Sequence, residues 1–309
     1  MTVDDRWFHR RGSLARDGWE SVVDDSLDGW QHTGLHIAEL SQGDEISLGA
    51  AGLERIVIPL AGSFVVDHSA APTESVRTTL TGRTSVFDGP TDVLYLSGAS
   101  TGRLSGEGRV AVASSPARSD GTIHPSRHIP ASGVPVELRG AGTSSRQVHN
   151  FGTPESLAAD RLIVCEVITP SANWSSYPPH KHDEHVEGSE SELEEIYYFE
   201  AAPVRDGGRA ESAHAAFGLF SAYASPAGQI EIDATVRTGD IALVPHGYHG
   251  PAVAAPGYDL YYLNVMAGPG AERSWLISDD PDHAWVRDAW NDQDVDPRLP
   301  YTSGNGDLR

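Results

Sequence analysis

The chain has 309 residues, 39% of them apolar, and sets 22 basic side chains against 44 acidic ones for a formal net charge of −22. That length gives room for a large core and about two domains, and that apolar fraction excludes a disordered chain. The acidity argues against nucleic acid and anionic membranes as partners, since both select a basic surface.

The opening MTVDDRWFHRRG has no apolar stretch of signal-peptide length, and no run approaches the roughly 20 apolar residues of a membrane span. A cytoplasmic protein is expected. Strand-like runs then recur between glycine and proline turns, at 55–60, 63–66, 92–96 and 109–113. Others follow at 161–168, 195–199, 230–232, 241–244 and 258–265. Helical periodicity is scarce. Many short strands with turn signals predict an all-β chain of sandwiches or barrels.

The runs repeat one plan. Glu54 opens the first strand group, and a Gly-led turn at 82–89 leads into 92–96. Glu195 opens the second group, and Gly239 leads into 241–245. A boundary is expected in the Pro/Gly/Ser-rich stretch 130–145, dividing the chain into 1–140 and 141–309. The first copy has no His-x-His pair, so no metal is expected there. The polar tail after Trp290 is expected to pack across a neighbour or stay mobile. The single cysteine, Cys165, permits no intrachain disulfide and reads as a small buried hydrophobe.

Residues 173–199 are the most informative segment. His180 and His182 lie two apart, so on a strand both imidazoles project to one side and can chelate one ion. Lys181 then points away. Glu194 and Glu195 compete as the carboxylate ligand, and Glu195 is favoured because it directly precedes the hydrophobic run. Glu194 reads as surface charge. The acidic loop 183–192, with His185, reads as a solvated insertion. His246 and His249 compete in the turn Pro-His-Gly-Tyr-His, whose Pro-x-Gly element favours His249. Three imidazoles and one carboxylate on separate strands, without cysteine, suit an open site for Zn²⁺, Mn²⁺, Fe²⁺ or Ni²⁺.

Other residues could serve the same cavity. Glu166 shares a strand face with apolar neighbours, which makes it a general-base candidate or a salt-bridge partner of Arg161 or Arg146. Tyr262 and Asn264 share one face of a later strand. Tyr262 is a catalytic candidate, and Asn264 and Tyr197 are candidate substrate contacts.

These segments resemble one family. Ser-Tyr-Pro-Pro-His-Lys-His at 176–182, Glu-Glu-Ile-Tyr-Tyr at 194–198, Gly-Tyr-His at 247–249 and Tyr-Asp-Leu-Tyr-Tyr-Leu-Asn at 258–264 carry the resemblance. Gly-Arg-Thr-Ser-Val-Phe at 82–87, Arg-Gly-Ala-Gly at 139–142 and Asp-Pro-Asp-His-Ala-Trp at 280–285 extend it over residues 25–290. The chain is similar to the 5-deoxy-glucuronate isomerases of inositol catabolism, relatives of the pectin-degradation ketol-isomerases. The resemblance implies a bicupin, two jelly-roll (double-stranded β-helix) barrels in one chain, with one divalent metal in the C-terminal barrel. Zinc is the first expectation, with manganese or iron as alternatives. Carried over by motif, the ligands are His180, His182, Glu195 and His249. The implied reaction interconverts 5-deoxy-D-glucuronate and 2-deoxy-5-keto-D-gluconate. Arg146 and Arg161 are then candidates for the substrate carboxylate. Two features depart from the family pattern: His246 stands where an arginine is expected, and the 184–191 loop is more acidic. A homodimer or larger oligomer is expected. The rival readings are an Fe²⁺ dioxygenase or other sugar-acid enzyme, marked by oxygen consumption in the first case, and a sugar-binding bicupin without turnover.

Overall fold

The computed structural model describes residues 6–71, 74–118, 123–204 and 213–302. Its strands form three antiparallel sheets. The first barrel is an eight-stranded sheet, ordered Ser21–Val23, Gly34–Leu40, Thr101–Pro116, Leu53–Ala71, Val93–Leu96, Arg127–Ile129, with Glu45–Ser47 and Glu74–Arg83 paired beside it. The second barrel has two sheets. One is ordered Phe8–His9, Ile241–Val244, Glu194–Pro203, Tyr258–Ala267, Ile163–Thr169, Arg146–Gly152, Val136–Arg139. The other runs Gly228–Val236, Gly218–Ser225, Tyr248–Ala254, His180–Lys181, Ser278–Asp279, with Trp174–Ser175 also on Tyr248–Ala254. This is the all-β bicupin that the sequence predicts. No helix among the described residues is long and apolar enough to cross a membrane.

Burial follows side-chain alternation. In Gly228–Val236, the residues Ile230, Ile232, Ala234 and Val236 are buried while those between them face outward. Ile163–Thr169 and Tyr258–Ala267 are buried on both faces, because one face lines the second barrel and the other meets the first. One core cluster joins Ile56 and Ile58 of the first barrel to Phe151, Tyr198 and Leu263 of the second. A smaller cluster around Val57, Phe64, Leu80 and Leu104 fills the first barrel.

The barrels hold each other by matched devices. Glu54 is fully buried and accepts from the N–H groups of Asp160 (2.9 Å), Arg161 (2.6 Å) and Leu162 (2.6 Å), and from Tyr95 Oη (2.9 Å). Glu194 reciprocates, accepting from the N–H groups of Gln31 (3.2 Å), His32 (2.6 Å) and Thr33 (2.6 Å). Glu194 is therefore a buried clasp rather than surface charge. Early segments also cross over: Phe8–His9 adds to Ile241–Val244 and Val136–Arg139 to Arg146–Gly152, both in the second barrel, while Arg127–Ile129 adds to Val93–Leu96 within the first.

This symmetry corrects the alignment of the repeats. Glu54 faces Ser115 across its ladder as Glu194 faces Ala267, so Glu54 is the counterpart of Glu194 and not of Glu195. A one-residue slip puts every side chain on the wrong face of a strand. The polar tail makes contacts with its own chain through residue 301. Gly142 N donates to Asp294 O (2.8 Å), Asn173 Nδ2 to Asp296 Oδ2 (3.0 Å) and Tyr301 N to Gln147 Oε1 (2.6 Å).

Candidate metal centre

Three strands and one loop converge inside the second barrel. His180 pairs directly with His249 across the sheet, and their rings lie 4.6 Å apart. His182 follows two residues on, with its ring 4.7 Å from that of His249. Glu195 enters from Glu194–Pro203, its Oε2 lying 3.0 Å from His182 Nε2 and 3.1 Å from His249 Nε2. The donor atoms of His182, Glu195 and His249 lie within 4.8 Å of one another, and His180 stands beside that trio.

The chemistry of this set fits a divalent ion. Each imidazole Nδ1 meets a backbone carbonyl: Pro178 O at 3.1 Å for His180, Leu193 O at 3.0 Å for His182 and Gly247 O at 3.1 Å for His249. A carbonyl can only accept, so each Nδ1 carries a proton, which leaves Nε2 of His180 and His249 to present lone pairs, while His182 Nε2 meets Glu195 Oε2 and would give up its proton to an ion. His249 Nε2 is buried and makes no hydrogen bond, although Glu195 Oε2 lies 3.1 Å away. Burial pushes His180 well below its ordinary pKa, and His249 and His182 beside it add to that, which favours the ligating neutral form. For Glu195, burial acts upward, but contacts with His182 and His249 outweigh it and hold the carboxyl at about 2. His182 is raised, because the Glu195 contact overcomes the downward effect of burial.

Beside the cluster lies a cavity of about 230 Å³. Tyr197, Tyr262 and Asn264 line it, as do His180 and Glu195. Asn264 Nδ2 is buried and has no partner. Tyr197 Oη lies 3.0 Å from Ser176 Oγ. Burial pushes the Tyr262 phenol up to about 12, although Arg146 opposes the shift. Arg146 also lines the cavity. Its Nη1 donates to Ser144 O at 2.9 Å and its guanidinium lies 5.2 Å from the Trp290 ring. It has no carboxylate partner among the described residues. Burial lowers it to about 10, so it stays charged at neutral pH.

Other predicted residues lie elsewhere. Arg161 lines a separate surface cleft with Arg118 and Arg273. Glu166 turns toward the first barrel, where Arg83 grips it through two hydrogen bonds (2.8 and 2.7 Å) and His149 Nδ1 (2.6 Å) and Tyr261 Oη (2.7 Å) complete the set. It is a structural ion pair, and its partner is neither Arg161 nor Arg146. Lys181 points away from the cluster, bound by Asp183 (2.7 Å), Glu184 (3.0 Å) and Glu190 (2.8 Å). That acidic loop is thus partly a socket for one ammonium rather than wholly solvated. His246 turns to Gln229 O (3.0 Å), and His185 is exposed.

Sequence reasoning missed Arg139, Tyr177, Trp275 and Arg287, which also line the cavity. Arg139 and Arg287 each have a carboxylate partner, Glu137 and Asp279. Only the Arg-Gly-Ala-Gly segment at 139–142 hinted at the first of these.

The model of the KduI/IolB family matches residues 7–286. The chain belongs to the KduI/IolB family. A 5-deoxy-glucuronate isomerase of Geobacillus thermodenitrificans (strain NG80-2) is 38% identical over 262 residues, covering 84% of this chain and 88% of that protein. Among solved structures, an IolB-like protein from Salmonella typhimurium LT2 shares 30% identity with a TM-score of 0.77, covering 91% of this family member and 98% of that chain. A Lactobacillus farciminis oxalate decarboxylase is similar in fold, with TM-score 0.60 at 10% identity and coverage of 90% and 89%.

Proposed function

We propose that the chain is a metal-dependent aldose–ketose isomerase interconverting 5-deoxy-D-glucuronate and 2-deoxy-5-keto-D-gluconate in the cytoplasm. The observation that carries this reading is a buried, carboxylate-free guanidinium, Arg146, on the same cavity as the three-histidine, one-glutamate cluster. A uronate needs both ends of such a cavity. Family membership and the named activity of the 38%-identical relative support it.

His180, His182, Glu195 and His249 are the proposed ligands, and zinc is the proposed ion. A divalent ion there would supply Lewis-acid polarisation of the substrate's carbonyl and hydroxyl oxygens. Arg146 binds the distant carboxylate through its planar fork. Tyr262, held protonated at neutral pH by its raised pKa, donates a hydrogen bond to a substrate oxygen and is not a base. Asn264 offers its unpartnered Nδ2 to another oxygen. Cys165 is a buried wall of the cavity whose thiol burial pushes up, which leaves it without nucleophilic character.

Proton NMR of 5-deoxy-D-glucuronate with purified protein tests the reading. The aldehyde-hydrate signal should fall and ketone signals grow, and a chelator should stop both. Arg146→Gln should raise KM about thirtyfold with little change in kcat, because a carboxylate remote from the bond changes is bound equally in ground and transition states, at about 2 kcal/mol. No conversion by metal-replete protein would sink the proposal.

A further inference from the structure

We infer that the first barrel carries a second small-molecule site, one that takes a compact, hydroxylated monocarboxylate. The inference rests on the first barrel alone; only the second binding event in its test, the one lost in Arg146→Gln, rests on the isomerase reading.

A cavity of about 380 Å³ opens in the first barrel, larger than the 230 Å³ beside the histidine cluster. Strand register shows which side chain occupies its centre. In the second barrel Glu195 faces Met266, and Met266 faces Ile163. In the first barrel Arg55 faces Ser114, and Ser114 faces Gly34. The position that aims a carboxylate at the metal centre of one barrel therefore aims a guanidinium into the cavity of the other.

Arg55 is only 3% exposed. Its Nη1 donates to Leu53 O (2.9 Å) and Ser100 O (3.4 Å), and its Nη2 to Ala50 O (2.6 Å). A guanidinium has five N–H donors, so two are left over. No carboxylate among the described residues pairs with it, although the chain carries a net charge of −22. A buried cation without a counter-ion is costly and calls for an anion. Gly49 leaves that side of the guanidinium bare, since a Cβ there would come into van der Waals contact with Arg55 Nη2 at 3.6 Å.

The walls define the rest of the ligand. The Trp19 ring packs edge-on to His36 at 5.0 Å and offers an aromatic wall to C–H groups. Ser47 and Ser114 place hydroxyls on the lining, while the Thr33 hydroxyl is held by Glu194 (3.0 Å). Asp24, already held by Arg16, and Asp25 stand on the same lining as acceptors for ligand hydroxyls. Those two carboxylates disfavour a doubly charged phosphate and leave a single carboxylate as the matching anion. A hexuronate or aldonate meets all of these conditions.

Isothermal titration of full-length protein with D-glucuronate tests the inference. Wild type should show two binding events per chain. Arg55→Gln should remove one of them, weakening it at least tenfold, and leave turnover at the histidine cluster unchanged. Arg146→Gln should remove the other. Ser47→Trp, at an exposed position on the cavity wall, should remove the same event as Arg55→Gln without touching the core, and serves if Arg55→Gln does not fold. A single event that survives both first-barrel variants and is lost in Arg146→Gln overturns the inference. So does displacement of the first-barrel ligand by inorganic phosphate more readily than by D-gluconate.

Discussion

At the scale of single residues, partners decide roles. Arg146 and Glu166 are both deeply buried charges near the second barrel's core, yet one is free to meet a ligand and the other is spent on the fold. For Glu166, burial acts upward, but Arg83 and His149 outweigh it and hold the carboxyl far below the usual carboxylate range. A depressed folded value means that the stabilisation is complete above the unfolded carboxyl's pKa of about 4.3 and is lost as pH falls below it. Glu166→Gln leaves Arg83 buried and unpaired, which costs about 3 to 5 kcal/mol at pH 7. Urea unfolding of wild type and variant should give that difference at pH 7 and a shrinking one from about pH 4.3 downward. The folded variant should keep its kcat, because Glu166 does not face the cavity. A pH-independent gap in stability, or a collapse of kcat in folded protein, would return Glu166 to the list of catalytic groups.

Strands and loops carry the next layer, and here the two glutamate clasps are the decisive pieces. Each satisfies three successive backbone N–H groups in the partner barrel, of which those of Leu162 and Thr33 are buried and would otherwise lack an acceptor. Glu54→Gln keeps shape but loses charge-assisted acceptance, so the amides of Asp160, Arg161 and Leu162 should exchange with deuterium about tenfold faster. Metal content should not change, since the clasp on that side is remote from the histidines. Unchanged exchange would mean that packing alone holds the loop. The same elements show where the sequence was legible. His-x-His is a local signal, because a strand's period of two settles which side chains converge. Strand runs and their count were local too. What stayed hidden depends on chain segments far apart. Glu166 meets an arginine 83 positions away. Trp275 and Arg287 line the cavity from the segment after Tyr258–Ala267, where no periodicity points inward. The Glu54–Glu195 alignment failed by one residue because both repeats begin with a carboxylate, and only the ladder shows which face each takes.

For the molecule as a whole, the two barrels are one folding unit. We propose that the chain divides near residue 140 as a repeat, while its stability does not divide there. Phe8–His9 completes the sheet of the distant barrel, reinforced by Leu243 N donating to Trp7 O (2.8 Å) and by Arg10 with Asp240 (2.7 Å). Val136–Arg139 does the same at the other edge of that sheet, and Ile56 and Ile58 share one apolar cluster with Phe151 and Leu263. Cutting the chain at 140 would strip both edge strands, Phe8–His9 and Val136–Arg139, from the sheet of the second barrel, and would open that cluster to water. Calorimetry of the intact protein should therefore give a single transition of roughly 200 kcal/mol, with the van't Hoff enthalpy equal to the calorimetric one. The fragments 1–140 and 141–309, made separately, should aggregate, and a chain lacking residues 1–11 should melt several degrees lower. Two resolved transitions, or a soluble 141–309 fragment that still binds zinc, would mean that each barrel is stable alone and that the clasps and the crossing strands merely align them.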